Sequence, residues 1–184
     1  MVVLAILLSC FMQSVMAQGN LVFNGNFNTS SNGLTPDGWI GGSYDTQHGN
    51  PPPDTFLEPG VTASQEINSL TPGQLYIVSG DYSGGSKSAG NSFGVALDNV
   101  YLFETVAPPN FNWYSFSFDY TATSTSALLS LSAGLNGTDA NYAIDNISMV
   151  AVPEPSAISL ILLGGGVFLY VRNRQKHSAP AKSD

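Results

Sequence analysis

Read for its alternation of apolar and polar positions, the middle of the chain follows the two-residue period of half-buried strands. Between Val61 and Ile67, Val61, Ala63, Gln65 and Ile67 fall on one side and Thr62, Ser64 and Glu66 on the other. Between Asn112 and Thr121, Tyr114, Phe116, Phe118 and Tyr120 share one face, while Trp113, Ser115, Ser117 and Asp119 share the opposite one. Four aromatics at period two predict a core wall. Phe93 to Leu97 and Val100 to Phe103 flank Asp98-Asn99, a two-residue hairpin signal in which Asn99 tolerates positive φ. Asn20 to Phe27, Trp39 to Tyr44, Gln74 to Tyr82, Ala127 to Ser132 and Tyr142 to Val150 read as further strands. Gln47 to Pro59, with Pro51-Pro52-Pro53, reads as a loop, and so does the SGGSKSAG stretch from Ser83 to Gly90. No stretch of this body repeats at helical spacing. Eight or so strands separated by turns about every ten residues predict an all-β, two-sheet sandwich.

The two ends are patterned differently. Met1 to Ala17 is a run of apolar residues closing on Val15-Met16-Ala17, the form of a secretory signal peptide cut before Gln18, although no Lys or Arg precedes it. Leu7-Leu8-Ser9-Cys10 loosely fits a lipoprotein signal, with too short an apolar segment ahead of Cys10. At the other end, Ala157 to Val171 is apolar or small except for Ser159, and Arg172, Arg174 and Lys176 follow at once. As a helix this run covers roughly 22 Å against about 30 Å of bilayer hydrocarbon, so it predicts a short transmembrane helix with a basic stop. Pro153 and Pro155 keep the residues before it extended. The domain plan is therefore 1–17 signal peptide, 18–151 sandwich, 152–176 C-terminal signal and 177–184 tail.

Charge narrows the function. The chain carries 5 Lys and Arg against 13 Asp and Glu, and only Lys87 of those bases falls in the body. So acidic a body repels nucleic acid, and basic residues beyond the apolar run place the tail in the cytoplasm and the body outside. The single cysteine, Cys10, lies in the leader, so the mature body can form no disulfide.

The order Val152-Pro153-Glu154-Pro155, apolar helix, Arg172, Arg174 and Lys176 resembles the PEP-CTERM sorting signal of Gram-negative bacteria. That resemblance implies an exosortase-type partner that recognises the Pro-Glu-Pro segment, transient residence in the inner membrane, and delivery to the cell surface or extracellular matrix. In the body, Phe23-Asn24-Gly25-Asn26-Phe27, Gly38-Trp39, Leu70-Thr71-Pro72-Gly73-Gln74-Leu75-Tyr76, Trp113-Tyr114-Ser115-Phe116 and Ile144-Asp145-Asn146-Ile147 are similar, in that order, to jelly-roll carbohydrate-binding modules of the galactose-binding-like class. The resemblance implies a jelly-roll sandwich and a polysaccharide partner. It also implies a structural calcium between the first and last strands, for which Asn26, Asn28 and Asp145 are the ligands to test; Asn28 stands where the family carries an acid. Should no ion bind, Asp145 and Asn146 are expected to hold local backbone.

Sugar binding rests on aromatic faces. Tyr44, Tyr82, Tyr101 and Trp113 are the candidates, each with core packing as its competing role. Trp39 reads as core. Catalysis finds no support: no carboxylate pair is singled out for glycoside hydrolysis, and His48 is the body's sole histidine, with no Gly-x-Ser-x-Gly elbow. The expectation is an exported, non-catalytic matrix protein that binds exopolysaccharide, with a purely structural or adhesive matrix role as the alternative.

Overall fold

The computed structural model describes residues 19–135 and 140–153. Apart from Pro153, every described residue belongs to one compact unit, Ala17–Val152. The expected leader over 1–17, together with Glu154, Pro155, the apolar run, Arg172, Arg174, Lys176 and the tail, lies outside the described residues. Among the described residues, no helix is long and apolar enough to cross a membrane.

Among the described residues, nine strands build two antiparallel sheets. They are β1 (Ser43–Asp45), β2 (Asp54–Leu57), β3 (Thr62–Asn68), β4 (Leu75–Gly84), β5 (Phe93–Leu97), β6 (Val100–Thr105), β7 (Trp113–Thr121), β8 (Ser126–Ala133) and β9 (Tyr142–Ala151). One sheet runs β1-β2-β9-β4-β7 and the other β3-β8-β5-β6. Sequence neighbours are thus repeatedly placed in opposite sheets; this is the all-β two-sheet sandwich the pattern predicted, in the jelly-roll form the resemblance implied.

Alternation sorts side chains between core and surface. In β4, Tyr76, Val78 and Tyr82 point inward, and in β9 so do Tyr142, Ile144, Ile147 and Met149. They meet Phe93, Val95 and Leu97 of β5 and Leu129 and Leu131 of β8. Gly80 leaves room for side chains of its neighbours in the same sheet, since a Cβ there would lie 2.4 Å from Ile147 Cδ1 on β9 and 2.9 Å from the Phe116 ring on β7. At the β5–β6 hairpin both Asp98 (φ 50°) and Asn99 (φ 64°) are left-handed, as a two-residue turn of the I′ kind requires. Asp98 also accepts a hydrogen bond from the Leu128 N–H (2.9 Å).

Three readings change. Asn20 to Phe27 is not a strand, because Asn24 (φ 48°) and Phe27 (φ 50°) are left-handed and turn the chain. The segment nevertheless lines the second half of β9. Leu21 N donates to Met149 O and Ile147 N to Gly25 O, while the Asn20 side chain donates to Ile147 O and accepts from Met149 N. An amide side chain here replaces a ladder partner. The stretch from Gln47 to Pro59 is not all loop, since it contains β2, a strand whose short polar sequence DTFL carries little alternation. Finally, only Phe116 of the four-aromatic wall is fully buried. β7 is the edge of its sheet, so Tyr114, Phe118 and Tyr120 pack against the core with part of each ring in solvent.

Candidate functional site

The outward face of the five-stranded sheet carries two adjacent rows set by register. Ser43, Phe56, Ala143, Ser83 and Trp113 stand side by side across all five strands. Two residues along each strand, and therefore on the same face, come Asp45, Asp54, Asp145, Asp81 and Ser115. The first row floors an open groove of about 200 Å³, lined also by Asp45, His48, Gly85 and Phe111. This is below the roughly 300–1,000 Å³ of pockets that engulf drug-sized ligands.

The groove is apolar along its length and polar at one end. Phe111 is 60% exposed with φ 57°, and its N–H donates to Gly84 O (3.2 Å). That bond folds the 106–112 loop back over the end of β4 and sets Phe111 beside Trp113. Gly85 is packed directly against the Asn141 side chain, as a Cβ there would meet Asn141 Oδ1 at 2.5 Å. The two flanking loops are tied together from beneath: Ser88 Oγ donates to Ala107 O (2.9 Å), while Tyr142 Oη donates to Asn91 O (2.7 Å) and accepts from Ala107 N (3.1 Å).

At the polar end, His48 Nδ1 lies 2.7 Å from Asp45 Oδ2. The hydrogen bond to Asp45 raises the His48 pKa above the ordinary imidazole value. Burial pulls Asp45 upward, but bonds from the Gln47 N–H and from His48 outweigh it and leave this carboxyl below its usual range. The loop over 46–53, which contains cis bonds at Asn50–Pro51 and Pro52–Pro53, crosses the second row. There Asn50 N donates to Asp145 Oδ2 (2.6 Å), Asn50 Nδ2 to Asp81 Oδ2 (3.2 Å), and Asn146 Nδ2 to both Asn50 O (2.7 Å) and Asp81 Oδ2 (2.9 Å). Ser115 Oγ donates to Asp81 Oδ1 (2.7 Å).

Two carboxyls in this row are fully buried. Asp145 is pushed up to about 6, chiefly by burial, against the pull of the Asn50 and Asn146 N–H groups and with the Asp81 charge adding. Asp54 is pushed up to about 7, again by burial first, with the Asp45 charge adding, His48 opposing and Asp145 adding. Neither oxygen of Asp54 has a hydrogen-bond partner; the only other buried side-chain atom in that position, among the described residues, is Tyr120 Oη.

The candidate aromatics are dispersed. Trp113 sits in the groove, half-buried. Tyr82 is a core residue, 8% exposed, its ring 5.5 Å from Phe93 and 5.7 Å from Tyr114. Tyr44 alternates with Ser43 and Asp45 and so faces away from the groove. Tyr101 is exposed on the other sheet, its ring lying over Gly94. Trp39 is core, as read, with its indole N–H directed to Asn24 O (3.3 Å). Phe56 and Phe111 were missed: the first lies in a stretch read as loop, and the second follows Pro108-Pro109-Asn110, where no periodicity assigns a face.

The expected calcium ligands do not gather. Asn26 lines a separate amide-rich pocket with Asn20, Asn24, Gly25 and Asn146, and its Oδ1 accepts from Asn28 N (3.4 Å). Asp145 faces the carboxylate row, where both of its oxygens accept backbone N–H groups. Among the described residues, no three His, Cys, Asp or Glu side chains close on one point as they stand.

The fold and the groove define a jelly-roll β-sandwich of the architecture used by carbohydrate-binding modules. The chain is similar to the CBM22-1 xylan-binding domain of Paenibacillus barcinonensis Xyn10C, with TM-score 0.52 and 15% identity over 71% of this chain and 93% of that one. It is also similar to TmCBM61, solved with β-1,4-galactotriose, with TM-score 0.54 and 13% identity over 73% of this chain and all of that one. No protein-family model matches the sequence. Halomucin of Haloquadratum walsbyi is 31% identical over 187 residues, which is 84% of this chain but 2% of that protein's length.

Proposed function

We propose that the domain is a non-catalytic module that binds a neutral glycan chain along the groove of the five-stranded sheet. The observation that carries this reading is the placement of Phe111 and Trp113 at one side of the groove and Phe56 at the other, across a floor of Ala143, Ser83 and Gly85. Aromatic faces stack on the C–H faces of sugar rings, while Ser83, Asp45 and His48 offer partners to hydroxyls. The adjoining carboxylates repel uronates and sulfated sugars, so the ligand is uncharged; the two similar structures are named for xylan and β-1,4-galactotriose. Among the described residues, no nucleophile is hydrogen-bonded to the Asp45–His48 pair, and the buried carboxyls of the second row lie under a loop.

The same reading places the protein outside the cell. β9 ends at Ala151, Val152 N donates to Leu75 O (2.9 Å), and Gln74 Nε2 donates to Val152 O (2.6 Å). The folded body is thereby closed directly before Pro153, leaving Pro153, Glu154 and Pro155 as the recognition segment for an exosortase-type enzyme. The apolar run and Arg172, Arg174 and Lys176 act as the transient membrane stop, and the processed body goes to the surface or matrix. Affinity electrophoresis of the purified protein in gels containing xylan, galactan or polygalacturonate tests the ligand. Retardation by a neutral polymer that weakens at least tenfold in Trp113→Ala supports the module. If every neutral polymer, including the host's own exopolysaccharide, leaves migration unchanged, the structural matrix role stands instead. Processing is tested by deleting the exosortase, where unchanged cleavage refutes the sorting assignment.

A further inference from the structure

Asp54 lacks the partners that a buried carboxyl requires. It is 0% exposed, and neither oxygen has a hydrogen-bond partner. It is also flanked by charge. Asp45 is its cross-strand partner on β1, and Asp145 stands one step beyond the Thr55–Ile144 pair on β9. Directly opposed residues in antiparallel strands have Cβ atoms about 5 Å apart, so like charges placed this way destabilise a sheet. Asp145 is satisfied by two backbone N–H groups, and Asp45 by Gln47 N and His48. Asp54 receives none of these bonds.

A proton or a cation could settle such a group. A proton removes the Asp54 charge, and burial favours it, but it leaves the opposed Asp45 charge in place and brings no donor to the other Asp54 oxygen. A cation satisfies both oxygens at once and converts the opposed charges from a cost into a ligand set. The ligands that the register brings together are oxygens, the carboxylates of Asp54 and of Asp45 across the ladder. His48 already directs its Nδ1 to Asp45, and the sole cysteine, Cys10, is remote in sequence. Oxygen-only donors of irregular geometry suit calcium, which accepts 6–8 oxygens including water and so needs no closed cage of three acidic side chains.

We infer that Asp54 and Asp45 hold a hard divalent cation of the calcium class at the polar end of the groove, with water completing its shell. The ion enters from the groove, because Asp45 lines that open space and faces Asp54 across the β1–β2 ladder. This site is distinct from the amide pocket around Asn26 and independent of whether the aromatic row binds sugar.

The test uses the full chain, purified in detergent and stripped with EDTA, with calcium chloride as the probe at pH 7.5. Calorimetric titration is expected to show one site. Calcium a hundredfold above its Kd should raise Tm by roughly 5–10 °C. Asp54→Asn, nearly isosteric, should abolish both responses; Asp45→Asn should fold normally and bind at least tenfold more weakly; Asn28→Ala should change neither response. Absence of calcium binding by the parent protein overturns the inference, and so does a calcium response that survives in Asp54→Asn. Glycan retardation by the EDTA-stripped protein tells the two readings apart, since failure of this site leaves the groove's stacking row untouched.

Discussion

Tyr142 offers a sharp test of how the sandwich core controls the groove. Its ring is fully buried, 5.4 Å from Phe93, and its hydroxyl joins the two loops that flank the site by donating to Asn91 O and accepting from Ala107 N. Tyr142→Phe keeps the ring and opens no cavity, so the change isolates the two hydrogen bonds. Each is worth about 0.5–1.5 kcal/mol net, and Ala107, itself 2% exposed, is left with a buried N–H and no acceptor. The expected loss is therefore about 2 kcal/mol, read as a fall in Tm of roughly 5–8 °C by circular dichroism. Tyr76→Phe is the matched control: Tyr76 is 1% exposed and its hydroxyl accepts from Thr71 N (2.9 Å), far along β4 from the groove. Both variants should lose stability, but only Tyr142→Phe should weaken retardation by neutral glycan, because Phe111 and Gly85 lie on the segments its hydroxyl pins. A change in Tm of less than 1 °C in Tyr142→Phe would refute the bonding argument. Equal glycan affinity in the two variants would refute the link to the groove.

Other substitutions probe the remaining junctions. Gln65 is 7% exposed, accepts from Phe23 N and donates to Phe23 O and Gly38 O; Gln65→Leu leaves these peptide groups unpaired and should cost about 2–4 kcal/mol in urea unfolding. Gly80→Ala forces a methyl to within 2.4 Å of Ile147 Cδ1 and 2.9 Å of Phe116, and should cost about 1–3 kcal/mol by overpacking. Asp98→Val places a β-branched residue at φ 50° and removes the acceptor of the Leu128 N–H, for a loss of about 2 kcal/mol, whereas Asp98→Asn should retain most of the stability. In EDTA, Asp54 should make the protein less stable as pH rises. Its folded pKa, about 7, lies above the unfolded value near 3.8, so the proton-linked stability is complete below about pH 4 and is lost by pH 8. The full span is on the order of 3–4 kcal/mol, and in Asp54→Asn the pH profile measured by chemical denaturation should flatten correspondingly.

Much of the fold was legible because the strands that form it carry their own signals. β3, β5, β6, β8 and β9 alternate or run apolar, and Asp98-Asn99 marks its hairpin with residues that tolerate left-handed φ. These are local properties. β2 escaped notice because its four residues are chosen for what surrounds them: Leu57 faces the core, Phe56 the groove, and Asp54 a roofed row of carboxylates. The N-terminal segment misled in the opposite direction, since Leu21 and Val22 look like strand residues yet the backbone reverses at Asn24 and Phe27, and Asn20 supplies the ladder bonds with its side chain.

The site was legible only at Trp113. Which face of an edge strand is the wall of a groove depends on what packs across it, and period two treats Tyr82 and Trp113 alike. Tertiary structure separated them by closing Phe93 and Phe103 over Tyr82 while leaving the opposite face of β4 and β7 open to Phe111. The sequence by itself determined an all-β body, an acidic surface unsuited to nucleic acid, and the landmarks by which the body resembles a jelly roll, because each resides in composition or in residues near one another in the chain. Only the folded arrangement decided that Phe56, Ala143, Ser83 and Trp113 share a row, and that Asp45, Asp54, Asp145 and Asp81 share the next. Those residues come from distant segments, and register between strands is fixed by packing and by hydrogen bonds that no single segment contains.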